Sequence, residues 1–592
     1  MAPPTVVATV YKTVQLAYIT IIDPSSMAFL NRSQSPIMPT LTGRSAFLAL
    51  LKDEGVKHLF GNPGTTELPI MDALSDHPDL AYVLGLQEAI VVAMADGYAR
   101  VSGQLAACNV HVAPGLGNAM GALYNAKWYG SPVLITAGQQ EHGHGLTEPM
   151  LYDPLVPIAT PLVKWAVEVT RLQDLPRIVR RAAKVALAPP TGPVFISLPG
   201  DILNAEAELE LGRRTRVDAA TRPNDSALAV LAERLWQAER PVIISGHEVA
   251  TRDALVEVAQ FAETLGAPVY LQTVPYSAQF LSEHPAYMGV LTRNQRQVRG
   301  ILEAHDLLIC IGADVLRMSV WSPVDPLPAH MPVVQIAERS WELGKNYPAE
   351  IAINADVKQT LRALLPVLVE RGGGGQTAIA AARLAALREQ NWAAKREALT
   401  RKTLAELGAA KPIRPEFLML RIAETLPADA VVVEEGLIST QSLLHFLPLR
   451  DARGYYGLAS GGIGFAIAGA IGIQLAQPER PVLAIIGDGS ALYGIQALWT
   501  AAHLKLPITF LIANNRSYRI LKERLVAFQG NDRFIGMDLR DPEIDFVALA
   551  RSFGLPARRI VEPDAIAPAL AQALASGAPS LLDVAVHDGF EG

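Results

Sequence analysis

Two short polar turns in the last third of the chain each follow an apolar segment typical of a buried strand. The first turn contains Asp488 between Gly487 and Gly489, and the second contains Asn515. One predicted helix separates them, so parallel neighbouring strands should bring both turns to one edge of a sheet. Carboxylate and amide oxygens suit Mg²⁺, and glycines let the backbone approach a phosphate closely. The pattern predicts a site for a diphosphate bridged to protein by Mg²⁺.

Two candidates for proton transfer lie in the first third of the chain. Glu88 stands where a predicted strand meets a predicted helix, and the alternative interpretation is a carboxylate stabilised by the helix dipole. His111 ends the apolar segment LAACNVHV, just before the glycine-rich turn 114–117. Histidine is the usual proton carrier near neutral pH, although a structural histidine remains the alternative.

The elements that must position these residues follow a regular rhythm. Short apolar segments rich in β-branched residues alternate with helical patterns, which predicts parallel sheets covered by helices on both faces. We expect an α/β protein of three doubly wound parallel-sheet domains. Polar and glycine-rich breaks predict domains at 38–210, 226–370 and 410–592. Residues 1–37 fit no element and are interpreted as a disordered extension or an over-long start.

The bulk composition excludes several classes of protein. A net charge of −7 over 592 residues argues against nucleic acid as the main partner. The two cysteines, Cys108 and Cys310, lie in apolar segments and predict buried thiols in a reducing, cytoplasmic setting rather than a disulfide framework. The longest weakly polar run, 463–476, is too short to cross a bilayer, so no membrane partner is expected.

The two polar turns resemble the GDG…NN signature of thiamine-diphosphate-dependent enzymes. Further segments, among them FGNPGTTELPIMDAL, GLQEAIVVAMADGYA and GDGSALYGIQALWTAA, resemble the benzoylformate decarboxylases of the decarboxylase and acetolactate synthase superfamily. The similarity covers nearly the whole chain after residue 40. It implies pyrimidine-binding, central and diphosphate-binding domains, with thiamine diphosphate and Mg²⁺ as cofactors.

The resemblance assigns roles residue by residue. It implies that Asp488, Asn515 and the backbone carbonyl of Ser517 hold Mg²⁺, and that Glu88 contacts N1′ of the cofactor's aminopyrimidine. It also implies that Ile463 props the cofactor in a bent shape, with a plain core residue as the alternative. The implied cofactor-binding residues are Glu88, Gly461, Ile463, Gly487, Asp488, Gly489, Ser490 and Asn515.

The resemblance breaks down in part of the implied catalytic set. His111 matches the family's first catalytic histidine, and Thr65 stands where the family has a pocket serine. Ser319 occupies the position of the second catalytic histidine, and serine is no acid or base near pH 7. His142 and His144 offer a substitute by a loop route, but a solvated loop is the favoured interpretation.

The implied substrate pocket differs as well. Ile520 and Arg524 stand where the benzoylformate decarboxylases have a small and an aromatic residue. The isoleucine narrows the space for an aryl ring, and the arginine indicates a polar or anionic substrate. The alternative interpretation is a solvated basic helix face that also includes Arg519 and Lys522.

The sequence therefore favours non-oxidative decarboxylation of a small 2-oxo acid other than benzoylformate. An acetolactate-synthase-like carboligase or a 2-hydroxyacyl lyase is the first alternative. A non-catalytic cofactor-binding subunit is the second, and Glu88 argues against it. FAD is not expected, because no glycine-rich phosphate loop occurs between residues 240 and 345. In the family Glu88 and Asp488 reach one cofactor from different subunits, which implies at least a homodimer and by family habit a homotetramer.

Overall fold

Three six-stranded parallel sheets form the framework of this computed structural model, which describes residues 40–319 and 321–590. Each sheet is covered by helices on both faces, so the predicted fold class is confirmed. The predicted extension at residues 1–37 lies outside the described residues. In the described part, no helix is both long enough and apolar enough to cross a membrane.

The first sheet forms because nearly every residue of its central strands is apolar, as burial on both faces requires. Its strand order is β3-β2-β4-β5-β7-β6, and β1 pairs antiparallel with β8 beside it. The elements are β1 (Thr40–Thr42), α1 (Gly43–Asp53), β2 (His58–Gly61), α2 (Leu68–Ala73), β3 (Ala81–Leu84), α3 (Glu88–Ser102), β4 (Ala106–Val110), α4 (Val112–Tyr129), β5 (Val133–Gln139), α5 (His142–Gly145), α6 (Leu155–Ala159), β6 (Ala166–Glu168), α7 (Leu175–Leu187), β7 (Val194–Pro199), α8 (Gly200–Asn204) and β8 (Glu206–Glu208).

The second sheet has the strand order β11-β10-β9-β12-β13-β14, with the order reversing between β9 and β12. The elements are α9 (Asp225–Trp236), β9 (Pro241–Ser245), α10 (His247–Thr251), α11 (Leu255–Leu265), β10 (Val269–Leu271), β11 (Tyr287–Val290), α12 (Gln295–Leu302), β12 (Leu307–Ile311), β13 (Val333–Ala337), β14 (Ile351–Asn354), α13 (Val357–Leu387) and α14 (Trp392–Leu407).

The third sheet has the order β16-β15-β17-β18-β20-β19. The elements are α15 (Pro415–Thr425), β15 (Val431–Glu435), α16 (Leu443–Phe446), β16 (Tyr455–Gly457), α17 (Phe465–Ala476), β17 (Val482–Gly487), α18 (Asp488–Ala491), α19 (Ala497–His503), β18 (Ile508–Asn514), α20 (Arg519–Gln529), α21 (Phe546–Ser552), β19 (Ala557–Ile560), α22 (Ile566–Ala575) and β20 (Ser580–Ala585).

The glycine-rich stretch 370–378 was expected to be a break between elements, and that expectation was wrong in part. Helical structure continues through it within α13, interrupted by a kink at Gly373, whose φ of 59° is open to glycine but strained for other residues. The glycine run therefore separates two helical segments at Gly373, with helical residues on both sides of the kink. The predicted domain boundaries stay predictions.

The first and third domains of the chain pack backbone to backbone through α3 and α17. A Cβ on Gly97 would lie 2.2 Å from the carbonyl oxygen of Gly469, and one on Gly472 would lie 1.9 Å from that of Met94. Glycine is therefore required at these crossings, because any side chain would push the two helices apart.

Candidate functional site

Asp488 and Asn515 lie at the same edge of the third sheet, as their spacing predicted. Strands β17 and β18 pair in parallel, and Gly487 is level with Ala513 in the register. Asp488 follows one strand directly, and Asn515 follows the other. Both side chains are buried.

The Asp488 carboxyl group is an incompletely satisfied buried acid. Its Oδ1 accepts a hydrogen bond of 2.9 Å from the backbone of Gly489, while its Oδ2 is buried with no hydrogen-bond partner in the described part of the chain. Burial raises the pKa of Asp488 to about 6, against the backbone N–H groups of Gly489, Arg516 and Ser517, which favour the charged form. A cation would satisfy both the orphan oxygen and the buried charge.

Asn515 is held in a tight turn by its own neighbours. Its Oδ1 accepts from the backbone N–H of Ser517 at 2.9 Å, and its Nδ2 donates to Ser439 Oγ at 3.3 Å. Arg516, which lies between Asn515 and Ser517, has a φ of 57°. This left-handed conformation costs free energy in a non-glycine residue. The turn thus fixes an amide oxygen beside the Asp488 carboxylate.

Of the two glycines that flank Asp488, Gly489 is required by a close contact, whereas Gly487 has only ordinary contacts. A Cβ on Gly489 would lie 2.6 Å from the ring of Tyr518, so any larger residue would displace that ring. Ser490 is buried in the same turn. Gly461 belongs to the loop before α17 and has open space at its Cβ position. At this edge of the third sheet, a ligand such as a phosphate can therefore approach the glycine backbone closely.

Ile463 lies half-buried in the loop that leads into α17. The Glu435 carboxylate fixes the end of this loop, accepting from the backbone N–H groups of Gly464 at 2.5 Å and Ala466 at 2.7 Å. Gly464 has a φ of 99°, which turns the chain sharply after Ile463. Burial raises the pKa of Glu435 to about 7, opposed by these N–H donors.

Glu88 is a buried first residue of α3, and its carboxylate is not the helix cap. The side chain of Gln87 caps the helix, accepting from Ala89 N at 2.6 Å and from Ile90 N. The Glu88 carboxylate instead accepts from Asn62 Nδ2 at 3.3 Å and Asn118 Nδ2 at 3.1 Å. These two contacts hold the acid at the edge of the first sheet, and its place in the first turn of α3 is also compatible with stabilisation by the helix dipole.

His111 is bound through one ring nitrogen to a fully buried acid, Glu67. Its Nδ1 lies 2.8 Å from Glu67 Oε2 and 3.1 Å from Thr66 Oγ1. Glu67 also accepts from the backbone N–H groups of Gly64 and Gly138, each at 2.8 Å. A carboxylate at Nδ1 holds the proton on that nitrogen and leaves Nε2 as a free acceptor.

The backbone around His111 is strained and tightly packed. The next residue, Val112, is β-branched yet has a φ of 41°, a conformation that costs about 1–3 kcal/mol. A Cβ on Gly64 would lie 2.1 Å from His111 Nδ1, so the turn of the NPG segment needs glycine there. Such strain persists only where the surroundings fix the residue.

The other residues predicted for the site are not part of the hydrogen-bonded clusters described above. Thr65 is exposed, and it is the next residue, Thr66, that contacts His111. Ser319 is exposed on the loop after β12. His142 Nδ1 lies 2.8 Å from Asp201 Oδ2, a hydrogen-bonded arrangement that needs no role in catalysis.

The helix α20 carries Ile520 and Arg524 one turn apart, both half-buried. A basic helix face in solvent is not what the structure shows. Lys522 is buried and lies 2.7 Å from Asp538, and Arg519 lies 2.8 Å from Glu523. The helix starts two residues after Ser517, so Ile520 lies in its first turn, close in sequence to the turn that holds Asn515, and Arg524 lies one helical turn farther on.

The two clusters belong to different domains. In the part of the chain that the structure describes, the hydrogen bonds of Glu88 go only to first-domain residues, and those of Asp488 only to third-domain residues. Glu88 and His111 therefore lie at one sheet edge, and Asp488 and Asn515 at another.

Sequence reasoning missed the acids that hold the site in place. Glu67 stands three residues after Gly64, and that spacing reads equally as a helix-capping acid. Glu435 ends an apolar strand, where two consecutive acids are unusual and could have drawn notice. Asn62 and Asn118 carried no signal beyond their turn and helix positions.

Comparisons with known proteins agree with this arrangement. Models of the N-terminal, central and C-terminal domains of thiamine pyrophosphate enzymes match residues 41–150, 228–364 and 439–584. The chain is 37% identical to a benzoylformate decarboxylase of Pseudomonas aeruginosa over 92% of its own length and 98% of that protein.

Two further relatives point the same way. A probable acetolactate synthase large subunit of Methanocaldococcus jannaschii is 28% identical, with 92% of each chain covered. A solved 4-hydroxybenzoylformate decarboxylase of Rhodococcus jostii is 33% identical, with a TM-score of 0.82, over 92% of this chain and 99% of that one. The chain therefore belongs to the thiamine pyrophosphate enzyme family, and its first and third domains are the family's cofactor-binding domains.

Proposed function

We propose that the protein decarboxylates a small 2-oxo acid without oxidation, using thiamine diphosphate. The observation that carries this proposal is the pairing of two unlike polar clusters on one chain. One is an oxygen-rich sheet edge with an orphan buried carboxylate, Asp488, and the other is an acid–histidine set, Glu88 and His111. Similarity to benzoylformate decarboxylases supports the same reaction.

The residues present at the third-sheet edge fit a magnesium diphosphate. Asp488, Asn515 and the backbone carbonyl of Ser517 would hold Mg²⁺, because all three residues are buried near one sheet edge and Asp488 Oδ2 has no hydrogen-bond partner among the described residues. Gly487, Gly489 and Ser490 would receive the diphosphate. When bound, the cofactor supplies a carbon nucleophile that attacks the keto carbon and accepts the electrons left by departing CO₂.

The first-domain residues would handle protons. Glu88, oriented by Asn62 and Asn118, would hold a proton against N1′ of the aminopyrimidine. His111 presents Nε2 while Glu67 engages Nδ1, so it would accept or return a proton near the reacting carbon. Ile463, together with Gly461, would prop the bent cofactor from the loop that Glu435 fixes.

The substrate pocket would be lined by Thr65, Ser319, Ile520 and Arg524. Benzoylformate is a poor candidate substrate, because isoleucine fills part of the space for an aryl ring and arginine favours a polar group. The engagement of Lys522 and Arg519 by acids supports this reading, since the arginine at 524 is then not simply part of a solvated basic face.

We also propose that the active form is at least a homodimer, with a homotetramer as the family habit. Glu88 is bound within its own domain and Asp488 within another, which supports a site completed by two chains. A cytoplasmic location and the lack of FAD stay predictions.

The acetolactate-synthase-like carboligase is the second candidate, together with a 2-hydroxyacyl lyase. Ser319 favours it, because a missing imidazole removes one group that could deliver the final proton. A non-catalytic subunit is disfavoured by the retention of Glu88 with its two amide partners.

The test supplies aliphatic, aromatic and anionic 2-oxo acids to the purified protein with thiamine diphosphate and Mg²⁺. Release of CO₂ with an aldehyde supports the decarboxylase, and a 2-hydroxyketone supports the carboligase. Absence of CO₂ from every 2-oxo acid would refute both. Unchanged turnover in Glu88→Gln would show that Glu88 does not activate the cofactor, whereas cofactor binding without turnover of any 2-oxo acid would point to a non-catalytic subunit.

A further inference from the structure

The segment 537–539, which follows α20, pairs in antiparallel register with the turn that holds Asn515. Two backbone hydrogen bonds form this pairing, from Leu539 N to Arg516 O at 2.9 Å and from Tyr518 N to Met537 O at 2.8 Å. The conformation of the turn therefore depends on how the chain folds back after α20, and not only on the turn's own residues.

The register of this pairing determines where the backbone of Ser517 points. Ser517 stands opposite Asp538 as a non-hydrogen-bonded pair, because the two backbone hydrogen bonds lie on either side of it. In such a pair the N–H and carbonyl groups point away from the opposite segment, while the two side chains lie close together. The Ser517 N–H accordingly donates to Asn515 Oδ1. Segment 537–539 thus sets the direction of the Ser517 carbonyl, the backbone oxygen proposed to hold Mg²⁺.

Lys522 joins this segment to α20. Its side chain is only 4% exposed, and its Nζ donates to Asp538 Oδ1 at 2.7 Å. The ammonium group also lies 5.1 Å from the ring centroid of Phe534 and 5.8 Å from that of Phe590. The centroids of these two rings are 4.8 Å apart. A carboxylate and two aromatic faces therefore hold the charge of Lys522 in one place beside segment 537–539.

Asp588, close to the carboxyl end of the chain, belongs to the same cluster of charges. Its Oδ2 accepts a hydrogen bond from Arg540 and lies 3.8 Å from Lys522 Nζ. Arg540 Nε also lies 3.7 Å from Asp538, so two cations and two carboxylates alternate. Removal of Lys522 alone would leave Asp588 with Arg540, and Asp538 is 41% exposed. Neither acid would then be buried without a partner, so a neutral residue at 522 is compatible with folding.

We propose that Lys522 is a positioning residue for the metal site. Through its hydrogen bond to Asp538 it holds segment 537–539 against the turn, and so keeps the Ser517 carbonyl directed at Mg²⁺. The inference rests on the proposed binding of magnesium thiamine diphosphate and deepens it by naming a residue that sets the metal affinity. A lysine that only stabilised the fold would change the melting temperature and leave the metal affinity as it is.

Calorimetric titration of Mg²⁺ into the protein at saturating thiamine diphosphate tests the inference without any substrate. Lys522→Met keeps most of the side-chain length and removes the charge. A turn that adopts its correct form only part of the time lowers the apparent affinity by that fraction. Because a hydrogen bond between charged groups is lost, the Mg²⁺ dissociation constant should rise about 5- to 30-fold. An unchanged dissociation constant would overturn the inference.

A double-mutant cycle tests the route through Asp538. Asp538→Asn should weaken Mg²⁺ binding to a similar extent, and the double variant should bind Mg²⁺ as Lys522→Met does, because both substitutions remove the same ion pair. Additive losses would show that Lys522 acts by another route, which would also overturn the inference.

The matched control is Lys358→Met, which removes a lysine 3.4 Å from Asp253 in the second domain. Its Mg²⁺ dissociation constant should stay within about twofold of that of the unchanged protein, because distant sites act independently. A rise equal to that of Lys522→Met would show a general loss of stability and would defeat the inference.

Hydrogen exchange followed by mass spectrometry reports on the pairing itself. In the protein without cofactor, peptides that contain the amides of Tyr518 and Leu539 should exchange faster in Lys522→Met, whereas peptides from the buried strand β18 should exchange at the same rate. Equal rates at both amides would contradict the inference. If the unchanged protein binds no Mg²⁺ with thiamine diphosphate, the proposed cofactor site and the inference both fail. Mg²⁺ binding that is insensitive to Lys522 defeats the inference alone.

Discussion

Replacement of Glu67 by glutamine tests whether this buried acid orients His111. The carboxylate has two donors at each oxygen: Thr66 Oγ1 and Gly138 N at Oε1, Gly64 N and His111 Nδ1 at Oε2. An amide of the same shape has only one acceptor end, so its NH₂ group must face two of these donors. The substitution therefore changes hydrogen bonding with almost no change in volume.

The size of the effect follows from the four contacts. If the amide nitrogen faces Thr66, that hydroxyl can rotate to accept, and the N–H of Gly138 loses its partner. If it faces His111, Nδ1 must become the acceptor, and the N–H of Gly64 loses its partner. Either way one hydrogen bond to a charged group, worth about 1.5–3 kcal/mol, disappears and the others weaken. We expect a loss of about 3–5 kcal/mol in the free energy of unfolding.

The second orientation also moves the imidazole proton from Nδ1 to Nε2, which removes the acceptor that we propose to act near the reacting carbon. Loss of general acid–base catalysis costs about 10²–10⁴ in rate, so a mixture of orientations should lower kcat by about 100-fold. The cofactor dissociation constant should stay within about threefold, because Asp488 and Asn515 lie in another domain.

The assay measures kcat on the best 2-oxo acid, the cofactor dissociation constant and the melting temperature. Glu54→Gln is the matched control: Glu54 is buried in the same domain, and its carboxylate lies 2.7 Å from Arg180 and 2.6 Å from Arg216. Both variants should melt roughly 6–20 °C lower. Only Glu67→Gln should lose turnover, and if its kcat matches that of Glu54→Gln, the idea that Glu67 orients His111 is wrong.

The remaining predictions concern the metal, the cofactor and the missing imidazole. Because burial raises the pKa of Asp488 to about 6 and Mg²⁺ binds the ionised form, the Mg²⁺ affinity measured calorimetrically should fall about tenfold per pH unit below that pH and level off above it. Ile463→Ala removes a half-buried aliphatic contact worth about 1–2 kcal/mol, so the cofactor dissociation constant should rise about 5- to 30-fold in a fluorescence titration. Ser319→His should raise the share of aldehyde over 2-hydroxyketone in chromatographic product analysis, and an unchanged ratio would count against a protonating role for that position.

The fold and the placement of Asp488 and Asn515 at one sheet edge were predictable, because the sequence patterns that indicate them are local. Apolar strands followed by polar turns place Asp488 and Asn515 with no need to know the rest of the chain, and the register of β17 and β18 confirms their placement at one edge. The helical residues on both sides of Gly373 were not predictable, because a run of glycines normally disfavours helix.

The charge state of the site depended on contacts that no local pattern contains. Arg519, Lys522 and Arg524 look alike in sequence as one basic helix face. The structure separates them, because Arg519 and Lys522 each lie against an acid, whereas Arg524 has no carboxylate oxygen within 4.0 Å among the described residues. The partner of Lys522 is Asp538, 16 residues farther along the chain, so this pairing depends on how the chain folds back after α20.

Helices α3 and α4 begin at or directly after the catalytic candidates Glu88 and His111. Near their C-terminal ends, both helices form hydrogen bonds to the segment that leads into the loop that carries Ile463. Helix α3 begins at Glu88 and carries Arg100, whose Nη1 donates to Gly457 O at 2.9 Å in the strand before the Ile463 loop. Arg100 is held by Asp96 at 2.6 Å, and both side chains are fully buried. Replacing such a pair with apolar residues is often neutral or stabilising, so its presence here is better explained by orientation than by stability.

Helix α4, which begins directly after His111, forms hydrogen bonds to the same segment. Asn125 Oδ1 accepts from the backbone N–H groups of Ala459 and Ser460, each at 3.1 Å, while its Nδ2 donates to Asp96. One buried network therefore joins the helices that begin at Glu88 and directly after His111 to the loop that carries Ile463. If Glu88 serves the cofactor of a partner chain while Ile463 serves the cofactor of its own chain, each α3 helix connects two active sites. A structural change at one active site would then be transmitted to the other through packed, hydrogen-bonded groups rather than through a mobile linker.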